Sequence, residues 1–496
     1  MGETSLKEKT AKGILFGGLS NGTTQVLNAV FGIIISRRLS PEEYGVVGML
    51  AIFSAIASSL QEGGFISALT NRKNASQQDF NSVFWFNVTC SLTIYIILWL
   101  AAPLIALYFH DSRLLWLSRY TFLGFVVASF SIVPRAILFK QMRMKEQTVI
   151  SIVSLLLSGS IGVVLALSGF SYWGIATQAI VFVLAVSVIS WYYSKFRPNF
   201  TFSIKPIKEM FGFSFKIILT NIFNAVNNNV FSLLLGKYYK DKEVGDYTQA
   251  NKWNTMGSQF ISGIVQNVAQ PMFVQVTDNK THLLNVFRKM LRFTAFISFP
   301  AMLTLSFVSE DFIVILLKQK WADSAHILQM LCIAGAFMPI TTLFSNFIIS
   351  QGKSNVNMIC TVSMGLTVIT TLITEGMLKP SIFGLEGIKL MIVSYVVIYI
   401  SWLILWNIQA KKHIELTAAK FFKDTMPFLL ATVVAIAVAN FTTNNISNIL
   451  IRLIANVITI FAVYLALMWI LGAKILKESI DFLKKIIQKR KNKNKD

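Results

Sequence analysis

The sequence predicts an all-α integral membrane protein of about fourteen transmembrane helices, set out as two pseudo-symmetric six-helix lobes plus two C-terminal helices. Three observations carry this reading. Apolar runs recur from end to end, Lys and Arg gather in alternate loops, and the chain matches itself at an offset of 200 residues. The 496 residues are 54% hydrophobic and 14% charged, with a mean hydropathy of +0.61. A soluble domain carries about 25% charged residues. Runs near 20 residues each suffice to cross about 30 Å of hydrocarbon, whereas the strands of an outer-membrane barrel alternate over about 10 residues.

The first lobe (1–193) takes its helices from runs near 14–36, 46–69, 82–109, 117–139, 149–169 and 174–193. Lys7, Lys9 and Lys12 precede the first run in the manner of a signal peptide. That run is too long and too polar within, and it lacks a small-residue cleavage site, so it reads as a spanning helix. A basic cytoplasmic linker (194–212) leads to the second lobe (213–409), with runs near 213–236, 247–274, 292–317, 324–350, 357–378 and 387–409. Two more runs, near 425–441 and 448–472, make the extra pair. The last segment (473–496) places Ile475, Leu476, Ile480, Leu483, Ile486 and Ile487 at helical spacing and ends polybasic. It predicts an amphipathic helix on the inner leaflet followed by a tail.

The net charge of +22 follows topology rather than nucleic acid. The termini and even-numbered loops hold 31 of the 45 Lys and Arg residues, against 11 in the odd-numbered loops. This asymmetry puts both termini in the cytoplasm and draws the basic loops to anionic membrane lipids. Cys90, Cys332 and Cys360 lie in apolar runs without metal-ligand spacing, and the four histidines are scattered. There is no phosphate-cradling glycine loop, no zinc helix motif and no loop long enough for a soluble domain. The expectation is a protein that is not an enzyme, with no cofactor and no metal.

At the 200-residue offset, residues 19–45 lie over 219–245 without a gap, with 8 identities in 27 positions. The pairs include Asn21/Asn221, Asn28/Asn228, Glu43/Glu243 and Gly45/Gly245. Paired asparagines and glycines do not follow from apolar composition. Six runs separate the copies, so both cross in the same direction, as in a parallel repeat about an axis along the membrane normal.

Polar stripes accompany the repeat. Asn221, Asn224 and Asn228 fall within about 60° on a helical wheel; Asn21, Thr24, Gln25 and Asn28 fall within about 100°. Lys252, Gln259, Gly263, Gln266, Asn267 and Gln270 share an arc of about 100° on the eighth run. Amides in a membrane helix serve as interhelical glue worth about 0.6 kcal/mol each, or they line a hydrated cavity. Repetition on related helices favours the cavity; Asn227 and Asn229 lie off that face. Lys252 either joins the cavity or snorkels outward, and Arg135, beside Pro134, faces the same choice. Glu62 and Glu375 are carboxylates in apolar runs, with Glu62 the candidate carrier of a coupling proton or sodium ion. Arg452 reads as interfacial.

Several segments, in order, resemble the multidrug/oligosaccharidyl-lipid/polysaccharide exporter superfamily, and within it the Wzx-type polysaccharide flippases of the lipopolysaccharide and exopolysaccharide branch. They are "SRRLSPEEYGVVGM" (36–49), "EGGFISALTNR" (62–72), "VPRAILFKQMRMK" (133–145), "EMFGFSF" (209–215), "VGDYTQANKW" (244–253) and "VAQPMF" (268–273). The resemblance implies a polar central cavity, alternating access, and export of a polyprenyl-pyrophosphate-linked oligosaccharide across the bacterial plasma membrane. Cationic cavity residues are then expected for the pyrophosphate, and Lys252 and Arg135 are the candidates. A drug antiporter of the same fold, a peptidoglycan-precursor flippase and a membrane-bound glycan polymerase stand as alternatives.

Overall fold

The computed structural model describes residues 22–62, 69, 75–275, 280–473 and 475–476. Among these the chain is helical apart from turns and one isolated bridge, Ile382 to Leu385. In chain order the helices are α1 (22–38), α2 (Pro41–Met49), α3 (Ala51–Glu62), α4 (Gln77–Phe109), α5 (Arg113–Lys140), α6 (Met144–Leu167), α7 (Tyr172–Ser194) and α8 (Ile204–Tyr238). They continue as α9 (Asp241–Gln275), α10 (Lys280–Phe307), α11 (Ser309–Leu317), α12 (Ala322–Ser350), α13 (Ser354–Leu378), α14 (Gly387–Ile414), α15 (Ala418–Thr443) and α16 (Ile449–Ile470).

Local chemistry sets several of these boundaries. Ser40 and Glu43 form a reciprocal capping box at α2, with Pro41 at its first helical position. Ser76 and Asp79 do the same for α4. Thr417 and Asn448 cap α15 and α16. The apolar run near 292–317 is not one helix: it breaks at Val308, and α11 starts anew. Ten of the helices, namely α4 to α7, α10 and α12 to α16, are long and apolar enough to cross a membrane. The chain is a multi-pass membrane protein. The stripe-bearing helices α1, α8 and α9 are not among those ten; the described part of α1, residues 22–38, is too short to count.

The chain divides into two compact units, Met1–Thr248 and Gln249–Asp496. In the first, α6 packs on α7, α5 on α4 and α7, and α8 on α3. The segment between α7 and α8 is fastened to the start of α4. Asn81 Nδ2 donates to Thr201 Oγ1 at 2.8 Å, Trp85 Nε1 to the Asn199 carbonyl at 3.0 Å, and the Ser203 amide to Ser82 Oγ at 3.0 Å.

In the second unit, α10 packs on α12 and α15. Phe287 is the centre of its aromatic core, 5.1 Å from both Phe344 and Phe347 and 5.8 Å from Phe273. Ser298 Oγ and Ser306 Oγ of α10 each donate to a carbonyl of α12 at 2.6 Å. Asp424 of α15, 2% exposed, accepts from Arg288 at 2.6 Å and from Arg292 at 3.1 Å. Removing a buried partner strands the opposite charges and costs about 3–5 kcal/mol. Both arginines are partly exposed, so Asp424→Ala is expected to cost about 2 kcal/mol. The check is a lower melting temperature of the detergent-solubilised protein; an unchanged one would show that solvent screens the pair fully.

Candidate functional site

The polar stripes were the starting point of the site. Asn21, and the side chains of Glu62, Asn224, Asn267 and Gln270, lie outside the described residues. On α1, Thr24 and Asn28 stand one turn apart and line a cavity of about 320 Å³. Ser158 of α6 and Gln178 of α7 face the same space, with Leu155 and Phe182 in its wall. Gly162 lets Gln178 lie close to α6, since a Cβ at 162 would come within 2.9 Å of its Cβ and Oε1. Ser158 Oγ donates to the Leu155 carbonyl of its own helix at 3.2 Å. No hydrogen bond joins Asn28 or Gln178 to another described residue. Amides acting as glue would be bonded across the helix interface. These are instead available to a ligand. Gln25, on the same face, is partly buried.

On α8, Asn228 is exposed, and Asn221 is partly buried and engaged by a neighbour. The two asparagines off the stripe have local roles. Asn229 Nδ2 donates to the Ala225 carbonyl of the preceding turn at 2.8 Å, and Asn227 is likewise engaged.

α9 has a buried apolar face and an open one that carries amides beside the exposed Phe260 and Ile264. Ile261, Val265, Ala269 and Phe273 are buried, whereas Gln259 and Gln266 are exposed and Gly263 borders open space. An amide face turned to hydrocarbon is costly, so this surface belongs against water or a polar ligand. Lys252, on the same arc, is partly buried and has no carboxylate partner among the described residues. Arg135 is partly buried beside Pro134 and engaged by a neighbour. Two other charges have structural partners: Ser394 Oγ donates to Glu375 Oε1 at 2.5 Å, and Arg452 forks onto Asp311 at 2.5 and 2.9 Å.

Sequence reasoning missed Ser158, Gln178, Gln249 and Asn254. The last two flank Lys252 and are fully buried, and neither end of either amide has a hydrogen-bond partner among the described residues. A Cβ at Gly335 of α12 would run into Asn254 Oδ1, so the glycine makes the room that Asn254 occupies. The available signal was amide density, in "QANKWN" (249–254) and in the lone glutamine of the α7 run.

A second feature joins the repeated segments directly. The first turns of α2 and α9 touch backbone to backbone. A Cβ at Gly45 would run into the Asp241 carbonyl, and one at Gly245 into the Pro41 carbonyl. Residue 41 corresponds to 241 and 45 to 245, so the 200-residue offset maps this contact onto itself. Gly48 and Thr248, also an offset pair, follow it: a Cβ at 48 would lie 2.5 Å from Thr248 Oγ1. Arg113 holds the junction from the side. It forks onto Asp111 at 2.7–3.1 Å and pairs with Asp241, the first residue of α9.

The whole arrangement has relatives. Lipopolysaccharide biosynthesis protein WzxC of Escherichia coli (strain K12) is 23% identical over 384 residues, covering 76% of this chain and 77% of that one. Succinoglycan biosynthesis transport protein ExoT of Rhizobium meliloti (strain 1021) is 25% identical over 340 residues, covering 68% of each. The fold is also that of the lipid II flippase MurJ in an inward closed conformation, with a TM-score of 0.75 at 17% identity over 92% of this chain and 98% of that one. An inward-facing multidrug MATE transporter matches with a TM-score of 0.64 at 16% identity over 80% of this chain and 96% of that one. The model of the polysaccharide biosynthesis protein family matches residues 34–326, more than half of the sequence, and the chain belongs to that family.

Proposed function

We propose that the protein is a flippase that carries a lipid-linked oligosaccharide from the inner to the outer leaflet of the bacterial plasma membrane, by alternating access, for polysaccharide biosynthesis. The observation that carries this reading is the set of unbonded amides on a multi-pass membrane chain of this family. Asn28 and Gln178 face a cavity, Gln259 and Gln266 face open space, and neither face is satisfied by the protein. Sugar hydroxyls both donate and accept, and amides match them in both roles. By their place on the sequence stripes, Asn21, Gln25, Asn221, Asn224 and Asn228 are further candidates for contact with the sugar. Lys252 adds positive potential for the pyrophosphate, with Arg135 as a second contributor. Glu62 is the candidate for a coupling proton or sodium ion.

Both termini lie in the cytoplasm on this reading, because the basic loops stay on the side where Lys and Arg accumulate. The junction at Gly45 and Gly245 then lies at the outer end of the path and holds it shut. The repeat supports two six-helix lobes, 1–193 and 213–409, joined by 194–212 and followed by helices in 425–472; the amphipathic segment expected in 473–496 lies almost wholly outside the described residues. A drug antiporter is favoured less, since amides rather than carboxylates line the α1 cavity.

The test is transport. Purified protein reconstituted into liposomes is expected to expose an inner-leaflet polyprenyl-pyrophosphate oligosaccharide to an added glycosidase, while protein-free liposomes do not. Equal protection in both would reject the reading. In the same assay Asn28→Leu and Gln178→Leu are each expected to slow transport about fivefold, the loss of roughly one hydrogen bond. Rates unchanged in both variants would remove the α1 cavity from the path.

A further inference from the structure

A separate pocket of about 530 Å³ opens in the first unit, where the C-terminal ends of α5 and α7 meet the start of α4. Its floor is apolar: Phe80, Ile137 and Phe196 belong to a cluster that continues into the core through Phe84 and Val133. Its rim is cationic, with Lys140, Lys195 and Arg197, and no acidic residue is among its described lining. The nearest carboxylate along the chain, Asp79, is 4% exposed and turned into the α4 cap, where it accepts from the Ser76 amide at 2.8 Å.

Helix dipoles account for part of this charge. Lys140 and Lys195 sit at the C-terminal ends of α5 and α7, where cations are favoured. They do not account for Arg197, which lies beyond the helix, nor for the cavity. The wall that bears Arg197 is built in advance: Gln77 Nε2 donates to the Arg197 carbonyl at 3.3 Å, and the segment is pinned onward through Asn199, Thr201 and Ser203.

Aromatic residues fix the depth. Trp85 stacks on Phe200 at 4.9 Å, and Phe200 and Tyr192 are 89% and 77% exposed. Exposed aromatics of this kind mark the headgroup level of a bilayer. An apolar floor, a cationic rim and a place at the interface suit a phosphate that is joined to a lipid better than one free in solution. The volume is in the range of about 300–1,000 Å³ typical of ligand sites.

We propose that this pocket binds the phosphate of an anionic inner-leaflet lipid, held by Lys140, Lys195 and Arg197, with the start of the lipid's apolar part on Phe80 and Phe196. The leaflet rests on the orientation argued above; the binding itself does not depend on what the protein transports. The pinned segment runs directly into α8, so the lipid braces the connection between the two repeats.

Native mass spectrometry of the full-length protein, titrated with phosphatidylglycerol, phosphatidylcholine or a polyprenyl pyrophosphate, tests this. Phosphatidylglycerol is expected to bind more tightly than phosphatidylcholine. The Lys140→Gln/Lys195→Gln/Arg197→Gln variant is expected to lose well over tenfold in that affinity, and Arg197→Gln alone about fivefold. A control carrying glutamine at 411, 412 and 420 should bind as wild type. Arg197 is exposed, so its single variant reports even if the triple one folds poorly. A loss of polyprenyl-pyrophosphate binding in Arg197→Gln that exceeds its loss of phosphatidylglycerol binding would reassign the pocket to the cargo's own headgroup and overturn the phospholipid proposal. Equal binding of the two phospholipids, or unchanged affinity in Arg197→Gln, would overturn any lipid-phosphate site.

Discussion

Gly45→Val and Gly245→Val are each expected to cut glycan export at least tenfold while the protein still reaches the membrane. The new side chain meets a backbone carbonyl, that of Asp241 in one case and Pro41 in the other, so no rotamer change relieves the clash. Overpacking of this kind costs about 1–3 kcal/mol, occasionally more, and every 1.4 kcal/mol shifts a two-state population tenfold. The strain exists only while the first turns of α2 and α9 touch. On the alternating-access proposal it therefore penalises the state in which this end is shut and leaves the open one alone. The measurement is twofold: surface glycan on intact cells, and labelling by a membrane-impermeant thiol reagent of a cysteine placed at Thr248. Export should fall and labelling should rise. Because the contact maps onto itself at the 200-residue offset, the two valine variants should be equally impaired. Full export in one and loss in the other would break the symmetric reading; normal export in both would end the role of this contact in closure.

Lys252→Ala is the second large effect. A lone ammonium at the centre of a membrane helix costs about 2.5–3.5 kcal/mol on insertion scales, less beside polar residues such as Gln249 and Asn254. Charge-assisted hydrogen bonds return about 1.5–3 kcal/mol when a phosphate is present. Export is therefore expected to fall about tenfold to a hundredfold, with Lys252→Arg retaining most of it. The melting temperature should hold or rise, because a charge without a carboxylate partner has been removed. A purely structural lysine would give the opposite pattern, lower stability with export per folded molecule unchanged. That pattern, or undiminished export, would take Lys252 out of the substrate path.

How much of this was legible beforehand differs from element to element. The amide stripes could be read because helical periodicity is a property of the sequence; in the structure Gln259 and Gln266 are exposed and Gly263 borders open space. The break at Val308 left a readable signal that the 292–317 run passes over: Ser309, Glu310 and Asp311 follow it and put two acidic residues in the first turn of α11. The bonds that pin 195–203 to α4 could not be read, since they join residues about 120 positions apart and leave no local pattern. The same limit hid Gln178: an isolated glutamine in an apolar run has no partner until α6 and α1 are brought beside it.

The sequence by itself determined that the chain is a multi-pass membrane protein, and it carries the charge asymmetry and the 200-residue self-match from which sidedness and a repeat are expected. Composition, charge and self-similarity act through bulk transfer energies that need no knowledge of neighbours. Only the tertiary structure decided which repeated residues matter to each other. Asn28 and Asn228 correspond in sequence, yet Asn28 lines a cavity with Ser158 and Gln178, which the repeat does not name. Gly45 and Gly245 correspond in the same way, and they face each other's backbones. Identity at an offset records common origin. Contact depends on where the chain returns, and there the absence of two Cβ atoms allows the helices to meet.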